Sequence, residues 1–147
     1  MNKLGFLSFL VWFCFSLSAQ TIRIGLFTGS KIKELQLQVG QGTYLLQNKD
    51  DQTGSGAFKI LNPTEPYQFK IYNGMVRVLS KGQLQLQAAS ILLTQKSQED
   101  FCNWTVLSPA AKMRSYEGDF EISIIKGELR LINILDIETY LEGVVSS

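Results

Sequence analysis

Glu138 and Glu142 stand four residues apart near the end of the sequence, the spacing that sets two carboxylates on one helical face, where paired acids can do general acid and base work. A carboxyl acts as a general acid near neutral pH only in an apolar setting that strengthens its hold on the proton. Both glutamates fall off the apolar stripe of their helix, so a solvated face is expected for them. Glu121 and Glu128 alternate with apolar residues along two expected strands, which turns them to the polar side. No convincing general acid emerges from these carboxylates. Because the sequence has no histidine, a His-based metal site, a Ser-His-Asp triad and a Cys-His dyad are all excluded within this chain.

The remaining reactive types are a thiol and a few rings. Cys102 reads as a buried structural thiol, since a reactive or metal-binding one would need ligands that the sequence does not offer. Tyr116 and Trp104 have the flat faces that stack on sugar rings, although an aromatic in a β-rich core is the commoner use. Tyr140 lies on the apolar stripe of the terminal helix and is expected to pack there. No cofactor and no metal are expected.

These groups sit in a chain with an export signature. Met1 to Ala19 carries Lys3 as a positive n-region, an almost unbroken apolar run from Phe6 to Phe15, and the small residues Ser16, Ser18 and Ala19 at a cleavage position. The run is shorter than the roughly 20 apolar residues of a membrane span. Cleavage after Ala19 is expected, leaving an exported protein of the periplasm or cell envelope with no stable membrane span. Losing Lys3 from 14 basic residues leaves 13 against 13 acidic ones, a neutral balance that argues against nucleic acid as a partner. Cleavage also removes Cys14, so Cys102 has no partner for an intrachain disulfide. Residues 20–147 suffice for one core and not for two domains.

The elements that must position the candidate groups are short strands separated by Gly and Asn turns. Thr21 to Phe27, Ile32 to Val39, Thr43 to Leu46, Tyr67 to Tyr72, Met75 to Leu79, Leu84 to Ala88 and Ile91 to Thr94 read as strands. Asn73-Gly74 is a strong two-residue hairpin signal, because both central residues of the favoured turn need positive φ; Lys81-Gly82 and Lys126-Gly127 are weaker versions. Lys49 to Gly56 and Ser97 to Asp100 read as exposed breaks. The recurrence of LQLQ at Leu35 and Leu84 is too short to establish a duplication, and Asn103-Trp104-Thr105 matches a glycosylation acceptor. Phe120, Ile122 and Ile124 alternate on one strand, and Leu129, Leu131 and Asn133 continue the pattern on its return. This hairpin feeds a helix that begins at Asp136, a good N-cap, with Ile137, Tyr140, Leu141, Val144 and Val145 on one stripe. No Gly, Pro or basic residue closes that helix, so either the chain is truncated, with a half-built core, or its last turn frays. The fold class is therefore mainly β with a C-terminal α-helix: short antiparallel strands and hairpins leading into a truncated helix.

Three segments together resemble a known family. Tyr116-Glu117-Gly118, Gly127-Glu128-Leu129-Arg130-Leu131-Ile132-Asn133 and Ile137-Glu138-Thr139-Tyr140-Leu141-Glu142-Gly143-Val144-Val145-Ser146-Ser147 resemble the SpoIID/LytB family of exported bacterial cell-wall proteins. Its members show a Tyr-Arg-Gly, a Gly-Lys-Leu-x-Leu-Ile-Asn strand and a Leu-Glu-Asp-Tyr-Leu-x-Gly-Val-Val-x-Ser-Glu-Met helix. Ile22-Arg23-Ile24-Gly25-Leu26 also resembles the family's first strand. Asp136 stands where the family often has Pro, Thr139 where it has Asp, and Glu117 where it has Arg.

The resemblance implies residues 20–147 as the N-terminal part of a SpoIID/LytB-like domain that remodels peptidoglycan. SpoIID-like proteins are lytic transglycosylases: a carboxylic acid protonates the leaving glycosidic oxygen and the sugar's own 6-hydroxyl attacks. LytB-like relatives enhance an amidase. The resemblance puts the catalytic glutamate directly after Ser147, so no catalytic residue is expected within this chain, and Tyr116, Ser146 and Ser147 are the expected substrate-binding residues. The implied partners are peptidoglycan glycan strands and a cell-wall amidase. The alternative is a non-enzymatic peptidoglycan-binding or amidase-enhancing module.

Overall fold

The computed structural model describes residues 20–51, 58–97, 101–109 and 114–145. The expected signal segment, Ser146, Ser147 and most of both expected breaks lie outside these residues. The first sheet is built from β1 (Thr21–Leu26), β12 (Glu128–Asp136), β11 (Asp119–Ile125), β8 (Ser90–Gln95), β3 (Tyr44–Asn48) and β4 (Lys59–Leu61), in that order across the sheet. The second runs β10 (Arg114–Glu117), β9 (Asn103–Ser108), β2 (Glu34–Gln41), β5 (Pro66–Tyr72), β6 (Met75–Ser80) and β7 (Gln83–Ala88). Every pairing is antiparallel. The sequence expectation of a mainly β chain with one C-terminal helix, α1 (Ile137–Val145), is met.

The sheets pack face to face because the strands alternate. In β2, Leu35, Leu37 and Val39 are buried while Gln36 and Gln38 point to the other side; β5, β6, β8 and β9 repeat the pattern. The buried sides meet in one core around Trp104, Tyr44, Phe69 and Phe120. Burial of such rings, each removing some 150–250 Å² from water, is the main stabilising term of a sandwich this size. Among the described residues the core lies between the two sheets, and α1 contributes no buried residue to it.

Turn chemistry places the hairpins. Asn73 and Gly74 both take positive φ, 50° and 73°, as a two-residue turn demands. Lys81-Gly82 and Lys126-Gly127 adopt the same geometry, so a lysine at the first turn position does not prevent it. Phe27, with φ 55°, ends β1 one residue earlier than expected. Three strands not expected from the sequence are β4, β9 and β10. The two LQLQ copies are not equivalent: Leu35 is fully buried, whereas Leu84 is half exposed at the edge strand β7. Asn103 is half buried beside Gly40, with its side-chain oxygen Oδ1 buried. Among the described residues no helix is long and apolar enough to cross a membrane.

Candidate functional site

The corner at Gly118 carries the chain from β10 in one sheet to β11 in the other. Gly118 has φ 83°, and a Cβ there would collide with the Ile134 carbonyl oxygen, so the position requires glycine twice over. Side chains from three separate strands hold this corner. The Tyr44 hydroxyl and the Trp104 indole N–H donate to the Gly118 carbonyl at 2.8 and 3.3 Å. The Asn133 amide donates to the carbonyls of Glu117 and Asp119 at 2.7 and 3.0 Å. Burial pushes the Tyr44 hydroxyl far above its ordinary value, which keeps it protonated as a donor.

Tyr116 stacks on Trp104, with ring centroids 4.8 Å apart and planes 22° apart; Trp104 in turn touches Phe120 at 4.2 Å. Trp104 is wholly buried, so it is a core ring and not a sugar platform. Tyr116 is only half buried, and its uncovered side looks onto a groove.

The groove has a volume of about 990 Å³. One wall is the β10 edge, with Ser115, Tyr116 and Glu117; the floor has Asn133 and Leu135; the other wall is α1 from Thr139 to Val145. The helix is aimed by its start. The Asp136 carboxylate accepts from the Thr139 backbone N–H at 2.9 Å and from the Thr139 hydroxyl. Those bonds hold the Asp136 carboxyl below its ordinary value. The Ile137 N–H also donates to the Gln20 carbonyl at 2.9 Å, tying the first turn to the residue before β1. Thr139 thus completes the cap.

The apolar stripe of α1 departs from expectation. Tyr140 is 37% exposed, Leu141 51%, Val144 52% and Val145 84%, so Tyr140 does not pack into the core and the stripe forms an open groove wall. Glu138 and Glu142 are exposed, as expected. Glu117 and Glu142 line the groove without the desolvated setting a general acid needs.

Two carboxylates behave differently from a solvated strand face. Glu121 does point away from the core, yet its side chain is only 5% exposed, because Arg23 and Lys49 close over it at 2.6 and 2.7 Å. Burial pushes its carboxyl up, and the hydrogen bonds and charges of Lys49 and Arg23 outweigh that and hold it below the ordinary value. The expectation of an ordinary polar-face residue is corrected here. Glu128 is half exposed. Asp119 is raised by burial despite accepting the Gln95 N–H at 3.0 Å, but it does not line the groove.

Cys102 is buried, as expected, against Gly42. Among the described residues no group of His, Cys, Asp and Glu side chains is placed to hold a metal ion. Of the sequence-derived site residues, Tyr116 lines the groove, while Ser146 and Ser147 lie outside the described residues. Asn133, Leu135 and Ser115 carry no site signal in the sequence; Asn133 is an amide at a buried strand position. The arrangement offers one aromatic face, a rim of hydroxyl and carboxylate groups, and an apolar wall, which suits binding of an extended amphipathic ligand. Comparisons with protein-family models, with curated proteins and with solved structures find no match to this chain.

Proposed function

We propose that the chain is the β-rich, glycan-engaging part of an exported bacterial protein that remodels peptidoglycan, of the SpoIID/LytB type, and that the groove beside α1 receives the glycan strand. One observation carries this reading. The three segments that bear the family resemblance are separated in the sequence, yet Tyr116 from the first, Asn133 from the second and Thr139 to Val145 from the third line the same groove. Amino-sugar strands have apolar ring faces and polar edges. Tyr116 and the α1 stripe match the former, and Ser115, Glu117 and Thr139 the latter.

The described groove residues supply binding groups and no desolvated carboxyl, so binding without bond cleavage is the activity they support. Purified chain is expected to co-sediment with peptidoglycan sacculi and to release no anhydro-muropeptides from denuded strands. Tyr116→Ala is expected to weaken retention about tenfold, the loss of one stacked ring. Retention unchanged by Tyr116→Ala would remove the groove from the account, and release of anhydro products above background would replace binding with catalysis. Export is tested by N-terminal sequencing of the protein from the envelope fraction, which is expected to begin at Gln20.

A further inference from the structure

One wall of the groove beside α1 is a strand edge. β10 ends the second sheet and pairs only with β9, so its other edge is free. Ser115, Tyr116 and Glu117 line the groove in succession, although consecutive side chains of a strand point to opposite faces. It is therefore the backbone edge of β10, and not one of its faces, that fronts the groove.

Two contacts fix which backbone groups face it. The Glu117 carbonyl turns away from β9 and accepts from the Asn133 amide at 2.7 Å. The Ser115 and Thr105 hydroxyls lie 3.0 Å apart, as suits the close cross-strand pair whose residues exchange no backbone hydrogen bond. In an antiparallel strand the N–H and C=O of one residue point to the same side, and that side alternates along the chain. Ser115 and Glu117 thus direct their backbone groups off β9. Among the described residues, no hydrogen bond engages the Ser115 N–H, the Ser115 C=O or the Glu117 N–H.

We propose that a polypeptide segment of a partner protein docks in the groove as a seventh strand of this sheet, paired with β10 and with α1 as its opposite wall. A strand edge is matched by another backbone, which repeats donors and acceptors at the same spacing. The neighbours specify both faces of the added strand. Residues opposite Ser115 and Glu117 point outward with them, where a basic side chain makes the favourable cross-strand pair with the Glu117 carboxylate. Residues opposite Tyr116 point inward with it, towards Leu135 and the half-exposed apolar stripe of α1, and so are apolar. Glu142 is the other charged residue among the described lining ones; with the flanking Arg114, Asp136 and Glu138 the surroundings stay acidic, which disfavours an acidic segment. The occupant is therefore an extended segment in which basic and apolar residues alternate. Its docking rests on the walls alone, whereas its exclusion of the glycan strand rests on the glycan reading of the groove.

The test titrates the full chain into a short dye-labelled peptide of alternating lysine and valine and follows fluorescence anisotropy. Saturable binding is expected. N-methylation of the lysine amides, which face β10, is expected to weaken it about tenfold, and N-methylation of the valine amides, which face away, to leave it unchanged. Ser115→Pro removes a donor from the free edge and is expected to lose about tenfold as well; the methylated peptides keep the test decisive where that variant fails to fold. The parent peptide is also expected to displace denuded glycan strands held by the chain. No saturable binding, or equal affinity of the two methylated peptides, would overturn strand addition, and equal binding of a peptide with glutamate in place of lysine would overturn the charge assignment. Peptide that binds without displacing held glycan would overturn the shared groove. A chain that binds the peptide and no glycan strand would overturn the glycan reading and leave strand addition standing.

Discussion

Replacing Asn133 by alanine tests the link between the fold and the groove. Asn133 is 3% exposed, and its side-chain amide donates to the carbonyls on either side of Gly118. Alanine deprives both acceptors. The Asp119 carbonyl belongs to a half-buried residue and takes most of the penalty of an unpaired buried acceptor, about 1–3 kcal/mol. The Glu117 carbonyl belongs to an exposed residue that water can reach, so its loss is nearer the net value of one hydrogen bond, about 1 kcal/mol. The sum is about 3 kcal/mol, a large share of the roughly 5–15 kcal/mol that holds a domain folded. With a urea slope of about 2 kcal/mol per molar, the unfolding midpoint falls by about 1.5 M. Fluorescence reports the transition in residues 20–147, where Trp104 is the sole tryptophan. Asn133→Asp keeps the shape but has no N–H to donate when ionised, so it is expected to lose at least as much. A loss below about 1 kcal/mol in Asn133→Ala, or full stability in Asn133→Asp, would refute the idea that donated hydrogen bonds hold this corner.

Other consequences concern charge and the helix. Glu121 is lowered in the folded protein from an ordinary value of 4.5, so its stabilising contribution is present above that value and lost as pH falls through the folded one. Glu121→Gln is expected to lose about 1–2 kcal/mol at pH 7, discounted because Arg23 and Lys49 are 48% and 41% exposed, and to converge with wild type in acid; urea titrations across pH check this. Asp119 is shifted the other way, so stability falls as pH rises from its ordinary value of 3.8 through the raised folded value. Asp119→Asn, which can still accept the Gln95 N–H, is expected to raise the urea midpoint at neutral pH and to add nothing below pH about 3.5. Leu141→Ser and Val144→Ser, on an exposed stripe, are expected to change stability by less than about 0.5 kcal/mol while weakening retention on sacculi.

What could be read from the sequence follows from where each signal is stored. Hairpin positions were legible because Asn73-Gly74, Lys81-Gly82 and Lys126-Gly127 carry their conformation locally. The helix start was legible for the same reason, since Asp136 and Thr139 are three residues apart. Strand β10 was not, being four residues that owe their extension to pairing with β9. Without that register, Tyr116 and Trp104 could be named as aromatic groups but not as a stacked pair. Glu121 shows the limit most clearly. Alternation turned it outward correctly, whereas the cations that bury it come from positions 98 and 72 residues away. The 3.6-residue period of α1 likewise specified an apolar stripe without specifying what lies against it.

The central claim is that three separate segments, at Tyr116–Gly118, Gly127–Asn133 and Ile137–Val145, form one glycan-binding groove. It is tested most directly by titrating isotopically labelled chain with denuded glycan strands and following backbone amide resonances. The account predicts saturable shifts clustered at Ser115 to Glu117, Asn133 to Leu135 and Thr139 to Val145. Saturable binding that leaves these three clusters unmoved would contradict it.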